Sequence, residues 1–167
     1  MTIYKHVSTK EYVDAFPIVY RHWTGDPADQ YKETTCRNLK GYSLTIRLFF
    51  GANELDARSW VVDYGSLRPL KVQFEKWFDH ALLVAEDDPQ REILEGLGRS
   101  GLAKITFVKA TGCEALAQFI HEYVNTIFMP TYMGDEASER IWCYRVEVRE
   151  TQSNMAFFEA HRGEYDE

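Results

Sequence analysis

Residues 36–50 read Cys36-Arg37-Asn38-Leu39-Lys40-Gly41-Tyr42-Ser43-Leu44-Thr45-Ile46-Arg47-Leu48-Phe49-Phe50. From Tyr42 onward, apolar and aromatic side chains (Tyr42, Leu44, Ile46, Leu48, Phe50) alternate with Ser43, Thr45, Arg47 and Phe49. That period of two is the signature of a strand with one buried face. Upstream, Gly25 to Gln30 combines Gly, Pro and Asp and reads as a loop. Downstream, residues 51–58 make a turn, and Ser59 to Tyr64 reads as a second strand forming a hairpin with the first. Ser66 then suits the N-cap of a helix that places Leu67, Leu70, Phe74, Trp77 and Phe78 at helical spacing, with Pro69 tolerated in its first turn. An acidic turn, Glu86-Asp87-Asp88-Pro89, precedes a short helix carrying Ile93, Leu94 and Leu97 and ended by Gly98 and Gly101. Lys104 to Lys109 reads as a strand. Leu116, Phe119, Ile120, Tyr123, Val124, Ile127 and Phe128 form the stripe of a long helix over 113–128, stopped by Met129-Pro130. Trp142 to Glu150 is the last long strand, with a short one near Met155 to Phe158. Strands, then helices, then strands is an α+β order and not an alternating βαβ one.

Composition narrows the function. The 167 residues fit one domain, 1–167, large enough to bury a core without staples. The formal net charge of −7, with no basic run, argues against nucleic acid and anionic membranes as partners. Aromatic residues reach 14%, enough to supply a ring-binding pocket as well as a core. Cys36, Cys113 and Cys143 are odd in number and form no CxxC pair, so reduced thiols in a cytoplasmic protein are the expectation. No apolar run has membrane-spanning length, and the first residues lack a signal-peptide apolar core.

Four segments, in order, resemble the 6-pyruvoyl-tetrahydropterin synthase / 6-carboxytetrahydropterin synthase family. Cys36 to Tyr42 is similar to that family's cysteine, three residues, then His-Gly-His. Trp60 to Arg68 (WVVDYGSLR) is similar to its strand-to-helix Gly-Met-Val-Ile-Asp-Phe segment. Phe78-Asp79-His80-Ala81-Leu82-Leu83 resembles Leu-Asp-His-x-x-Leu, and Val146 to Thr151 resembles a strand ending in Glu-Thr. Gly112 to Ala117 is a weaker fifth match. Residues 88–110 exceed the usual connection and read as an insertion containing a helix and a strand. The resemblance implies a T-fold: an antiparallel sheet with two main helices on one face, in β-β-α-α-β-β order. It also implies a homo-oligomer, trimer or hexamer, with sites at the subunit contacts.

The same resemblance assigns roles. Cys36 would be the general base, since a thiolate is a usable base or nucleophile. Asp79 and His80 would carry its proton, an imidazole oriented by a carboxylate being suited to that task. Glu150 would anchor the ring, because a carboxylate accepts two parallel N–H bonds from a pterin or guanine edge. Glu114 is a second binding candidate, or else a partner of a helix dipole. All are expected to converge on one ring-sized pocket. The family binds zinc through three histidines. Here the two His-Gly-His positions are Lys40 and Tyr42, and the first-strand histidine would be His22. An ammonium is no ligand and a phenol a poor one, so zinc does not follow from the resemblance. Lys40 could instead pair with an anionic substrate group. The implied activity is that of a 6-carboxytetrahydropterin synthase-like lyase acting on dihydroneopterin triphosphate or a related pterin, early in 7-deazaguanine and queuosine biosynthesis. The alternative is a non-catalytic homologue that binds a pterin or purine. His6, His121 and His161 have no matching partners. His121 lies off its helix stripe and is expected in solvent, and Cys113 and Cys143 are expected to be structural.

Overall fold

The computed structural model describes residues 3–23 and 35–164. Among the described residues six strands form one sheet: β1 (His6–Tyr20), β2 (Lys40–Ala52), β3 (Ala81–Ala85), β4 (Lys104–Val108), β5 (Trp142–Arg149) and β6 (Met155–Glu159). Four α-helices accompany them: α1 (Arg68–Phe78), α2 (Arg91–Arg99), α3 (Cys113–Tyr123) and α4 (Asp135–Arg140). The spatial order is β4-β3-β1-β2-β5-β6. β1, β2, β5 and β6 pair antiparallel, which is the expected T-fold sheet. β3 and β4 extend it in parallel from the β1 edge. Parallel neighbours need a long crossover, and α2, within residues 88–110, supplies it. Together the elements are the expected α+β architecture.

The hairpin is β1 with β2, Tyr12 facing Ile46 and Tyr20 facing Lys40. Ser59 to Tyr64 is therefore not a strand, because both edges of β2 are already taken by β1 and β5. The segment instead buries Val61 and Val62 in the core and ends in a 3₁₀ turn, Tyr64–Leu67. Asp63, not Ser66, caps that turn: its Oδ1 accepts from Gly65 N–H at 2.9 Å, while the Ser66 hydroxyl donates to the Asp63 carbonyl. The α1 helix follows with Pro69 in its first turn, as its fixed φ favours. The loop expected at Gly25 to Gln30 lies outside the described residues.

The core sits between the sheet and α1 plus α3. Phe16, Phe50, Phe74, Phe78 and Phe128 are fully buried there, with Leu44, Ile46 and Leu48 from β2. β3 is buried on both faces: Ala81 and Leu83 join the main core, while Leu82 and Val84 pack with Leu94 of α2. The long helix does not stop at Met129-Pro130. After α3 it continues as a π-helix, Val124–Met133, with Pro130 inside it. The wider i→i+5 turn lets the chain pass a residue that has no N–H to give.

Candidate functional site

One cavity of about 440 Å³ opens where the ends of β1 and β5 and the starts of β2 and β6 meet the start of α3. Tyr20 comes to it from the end of β1, and Lys40 from the start of β2. Cys36 comes from the 3₁₀ turn Thr35–Arg37, Cys113 and Glu114 from the first turn of α3, and Glu150 from just past β5. Ser153 to Ala156 close the rim. Tyr20 and Glu150, 130 positions apart, thus line one cavity because five separate elements begin or end at the same place.

Glu150 is held on both oxygens. The Tyr20 hydroxyl donates to Oε2, and Asn154 Nδ2 donates to Oε1 at 3.2 Å. Tyr20 is only 6% exposed. Burial, with the Glu150 carboxylate beside it, drives its phenol pKa far upward, so the hydroxyl keeps its proton. The Lys40 ammonium stands 5.3 Å from the centre of the Tyr20 ring, and the Tyr42 ring lies 5.9 Å away, centroid to centroid. Lys40 makes no salt bridge among the described residues, and the ring of Tyr20 meets its ammonium while the hydroxyl of Tyr20 bonds Glu150. Burial, then Glu150 and Glu114, push the Cys113 thiol up to about 12, which leaves it protonated and unsuited to act as a base.

His22 also lines this cavity, beyond the end of β1, and its N–H donates to the Cys36 carbonyl at 3.0 Å. The β1 position that faces Lys40 across the hairpin is Tyr20. Reading the sequence missed Tyr20 and Asn154. The signal for Tyr20 was the alternation Phe16, Ile18, Tyr20, the end of a strand that was not recognised. Asp79 and His80 lie elsewhere. Asp79 caps the C-terminus of α1, and His80 turns the chain into β3 at φ 53°, a left-handed conformation that His tolerates better than most residues. Their side chains bond to each other, Nδ1 to Oδ1 at 2.8 Å, and that of His80 is 81% exposed. His80 borders a separate apolar groove with Pro17, Val19, Leu39, Leu97 and Leu102. Within one chain, then, Cys36, Glu150, Glu114, Lys40 and His22 meet, while the Asp79–His80 dyad faces solvent.

The remaining histidine expectation is overturned. His121 is fully buried, against Phe158 at 5.0 Å and Trp142 at 6.1 Å between ring centres. Its flank of α3 packs on β5 and β6, a contact that helical periodicity alone does not show.

A zinc ion does not suit the residues at the positions that the family resemblance and the β1–β2 register match to zinc-binding histidines. Tyr20 commits its only proton to Glu150 and is held neutral, Lys40 is a cation, and Tyr42 is a phenol. Among the described residues no three His, Cys, Asp or Glu side chains are placed to hold a metal ion.

The sequence model of the 6-pyruvoyl tetrahydropterin synthase family matches residues 14–161. No curated protein matches the chain significantly. Among solved structures, uncharacterized protein WS1659 from Wolinella succinogenes is similar at 18% identity and TM-score 0.73, covering 93% of this chain and 98% of its own. The 6-pyruvoyl tetrahydropterin synthase of Caenorhabditis elegans is similar at 17% identity and TM-score 0.59, covering 96% and 100%. That of Plasmodium falciparum is similar at 14% identity and TM-score 0.60, covering 93% and 98%. At these identities the structural likeness establishes the fold.

Proposed function

The chain belongs to the 6-pyruvoyl tetrahydropterin synthase family, and on that basis we propose that it is a pterin-processing enzyme of the 6-carboxytetrahydropterin synthase type. Its substrate would be dihydroneopterin triphosphate or a close relative. The observation that carries the reading is the convergence of Cys36, Glu114 and Glu150 on one ring-sized cavity from three elements. A carboxylate offers about four lone-pair sites, so Glu150 can take the Tyr20 and Asn154 bonds and still accept the N–H edge of a pterin. Cys36 would remove a proton from the substrate side chain.

Asp79 and His80 would hand that proton on, and they do so from a neighbouring copy. The motivation is their geometry: a ready hydrogen-bonded dyad, exposed, beside an apolar groove and outside its own chain's cavity. The family resemblance supports a homo-oligomer with shared sites. No helix among the described residues is long and apolar enough to cross a membrane.

Incubation with dihydroneopterin triphosphate, followed by mass analysis of products, tests the activity. Turnover should vanish in Cys36→Ala and in His80→Ala. Co-refolding the two inactive variants should restore part of it, because some mixed contacts then pair an intact Cys36 with an intact His80. Tight binding without any turnover by the unaltered protein would reject the enzyme in favour of a binding module.

A further inference from the structure

We propose that Tyr20, Lys40 and Tyr42 occupy the place where a metal ion would sit, and that Lys40 supplies the positive charge directly, binding an anionic group of the ligand without a metal. The proposal rests on the reading that this cavity takes the ligand, and it adds how the charged end is held.

The register carries it. Tyr20 and Lys40 are direct cross-strand partners, and Tyr42 is the diagonal neighbour, paired with Ile18. Direct partners place their side chains on the same face about 5 Å apart, and diagonal ones remain within reach of long side chains. The ring and ammonium contacts bear this out, at 5.9 Å for Tyr20 with Tyr42 and 5.3 Å for Lys40 with Tyr20. Three imidazoles at these positions could converge on one cation. The three residues present cannot ligate one, yet they keep a unit of positive charge there. Lys40 is partly buried, lines the cavity and has no carboxylate partner among the described residues. An ammonium so placed calls for an anion. The α3 helix begins at the cavity, and its N-cap, Gly112, offers no side chain to the first N–H groups. That helix N-terminus carries partial positive charge, but Glu114 in its first turn lines the same wall and offsets it, so Lys40 is the cation that carries the proposal. The Tyr20 hydroxyl occupies one oxygen of Glu150, while the ammonium of Lys40 meets the ring of the same tyrosine and makes no salt bridge among the described residues.

The test has three parts. Elemental analysis of protein purified without added metal should find zinc far below one ion per chain. Binding of dihydroneopterin triphosphate should be insensitive to chelator and weakened about tenfold to a hundredfold by Lys40→Ala, whereas dihydroneopterin without phosphates should bind both proteins alike. The triple variant Tyr20→His, Lys40→His, Tyr42→His should take up about one zinc ion per chain. Stoichiometric zinc in the unaltered protein would overturn the proposal. So would equal binding of the phosphorylated compound by Lys40→Ala, or a folded triple variant that takes up no zinc. If neither compound binds the unaltered protein, the pterin reading fails by itself, and the two metal measurements still decide whether a cation site was replaced.

Discussion

At the scale of single residues, charge and burial decide what each group can do. His121 has burial as the main cause of a pKa lowered to about 4, outweighing neighbouring backbone bonds that favour its charged form. Its folded value thus lies below the ordinary 6.5. Between those values the unfolded chain binds the proton and the folded chain does not, so stability declines as pH falls through that window. It is fully retained above about pH 6.5, and the loss levels off below about pH 4. The full difference corresponds to about 3 kcal/mol. Urea melts at a series of pH values should show this slope, and His121→Gln should flatten it. An unchanged slope in the variant would mean that carboxylates carry the acid sensitivity. The same scale explains what the sequence could and could not reveal of the site. Cys36, Lys40, Glu114 and Glu150 stand in short motifs whose chemistry is readable from residue type. Tyr20 carries its meaning only through Glu150, 130 positions away, and through the strand opposite it.

At the scale of elements, the sequence pattern locates β2, α1, α2, β4, α3, β5 and β6, but it misplaces detail within them: Phe119 and Ile127 of the expected α3 stripe are exposed, while His121 beside it is buried. β1 hides because a bulge breaks its alternation between Tyr12 and Phe16, where Asp14 adopts φ 45° and its N–H bonds to Thr45 Oγ1 at 2.9 Å. β3 hides for the opposite reason: all five residues are buried, so no period exists to detect. A second bulge has an energetic consequence. Between Phe49 and Phe50 the β2–β5 register slips, and beside this bulge the backbone N–H and C=O of Cys143 are bonded by a side chain. Asn125, at the start of the π-helix and 7% exposed, takes both: Nδ2 donates to the Cys143 carbonyl at 2.8 Å, and Oδ1 accepts from its N–H at 3.0 Å. One side chain therefore rivets the long helix to the sheet. Asn125→Ala would leave a buried donor and acceptor unpaired, and should lower unfolding free energy by roughly 2–4 kcal/mol in denaturant melts. A loss below about 0.5 kcal/mol, the scale of an ordinary surface change, would show that water replaces the rivet.

At the scale of the whole molecule, the proposed homo-oligomer meets two open sheet edges and one apolar groove. β4 and β6 are edges with no further strand partner among the described residues, and β6 exposes Met155 and Phe157. Open edges and exposed apolar side chains invite association unless something covers them. The groove beside His80 adds Val19, Leu39 and Leu102, the last 78% exposed. On the proposed reading a second copy would occupy this groove, and the Asp79–His80 dyad on its rim would serve that copy's cavity. Light scattering should then give a mass of at least three chains, each 19.5 kDa. Leu102→Lys is a mild change for the isolated fold, because the side chain already meets water. In the assembly it would bury an unpaired ammonium, so mass should fall toward the single chain, and turnover should fall with it although Cys36 and Glu150 are untouched. Were the variant to remain both assembled and active, the groove would not be the contact, and the dyad would have to reach a cavity by another surface.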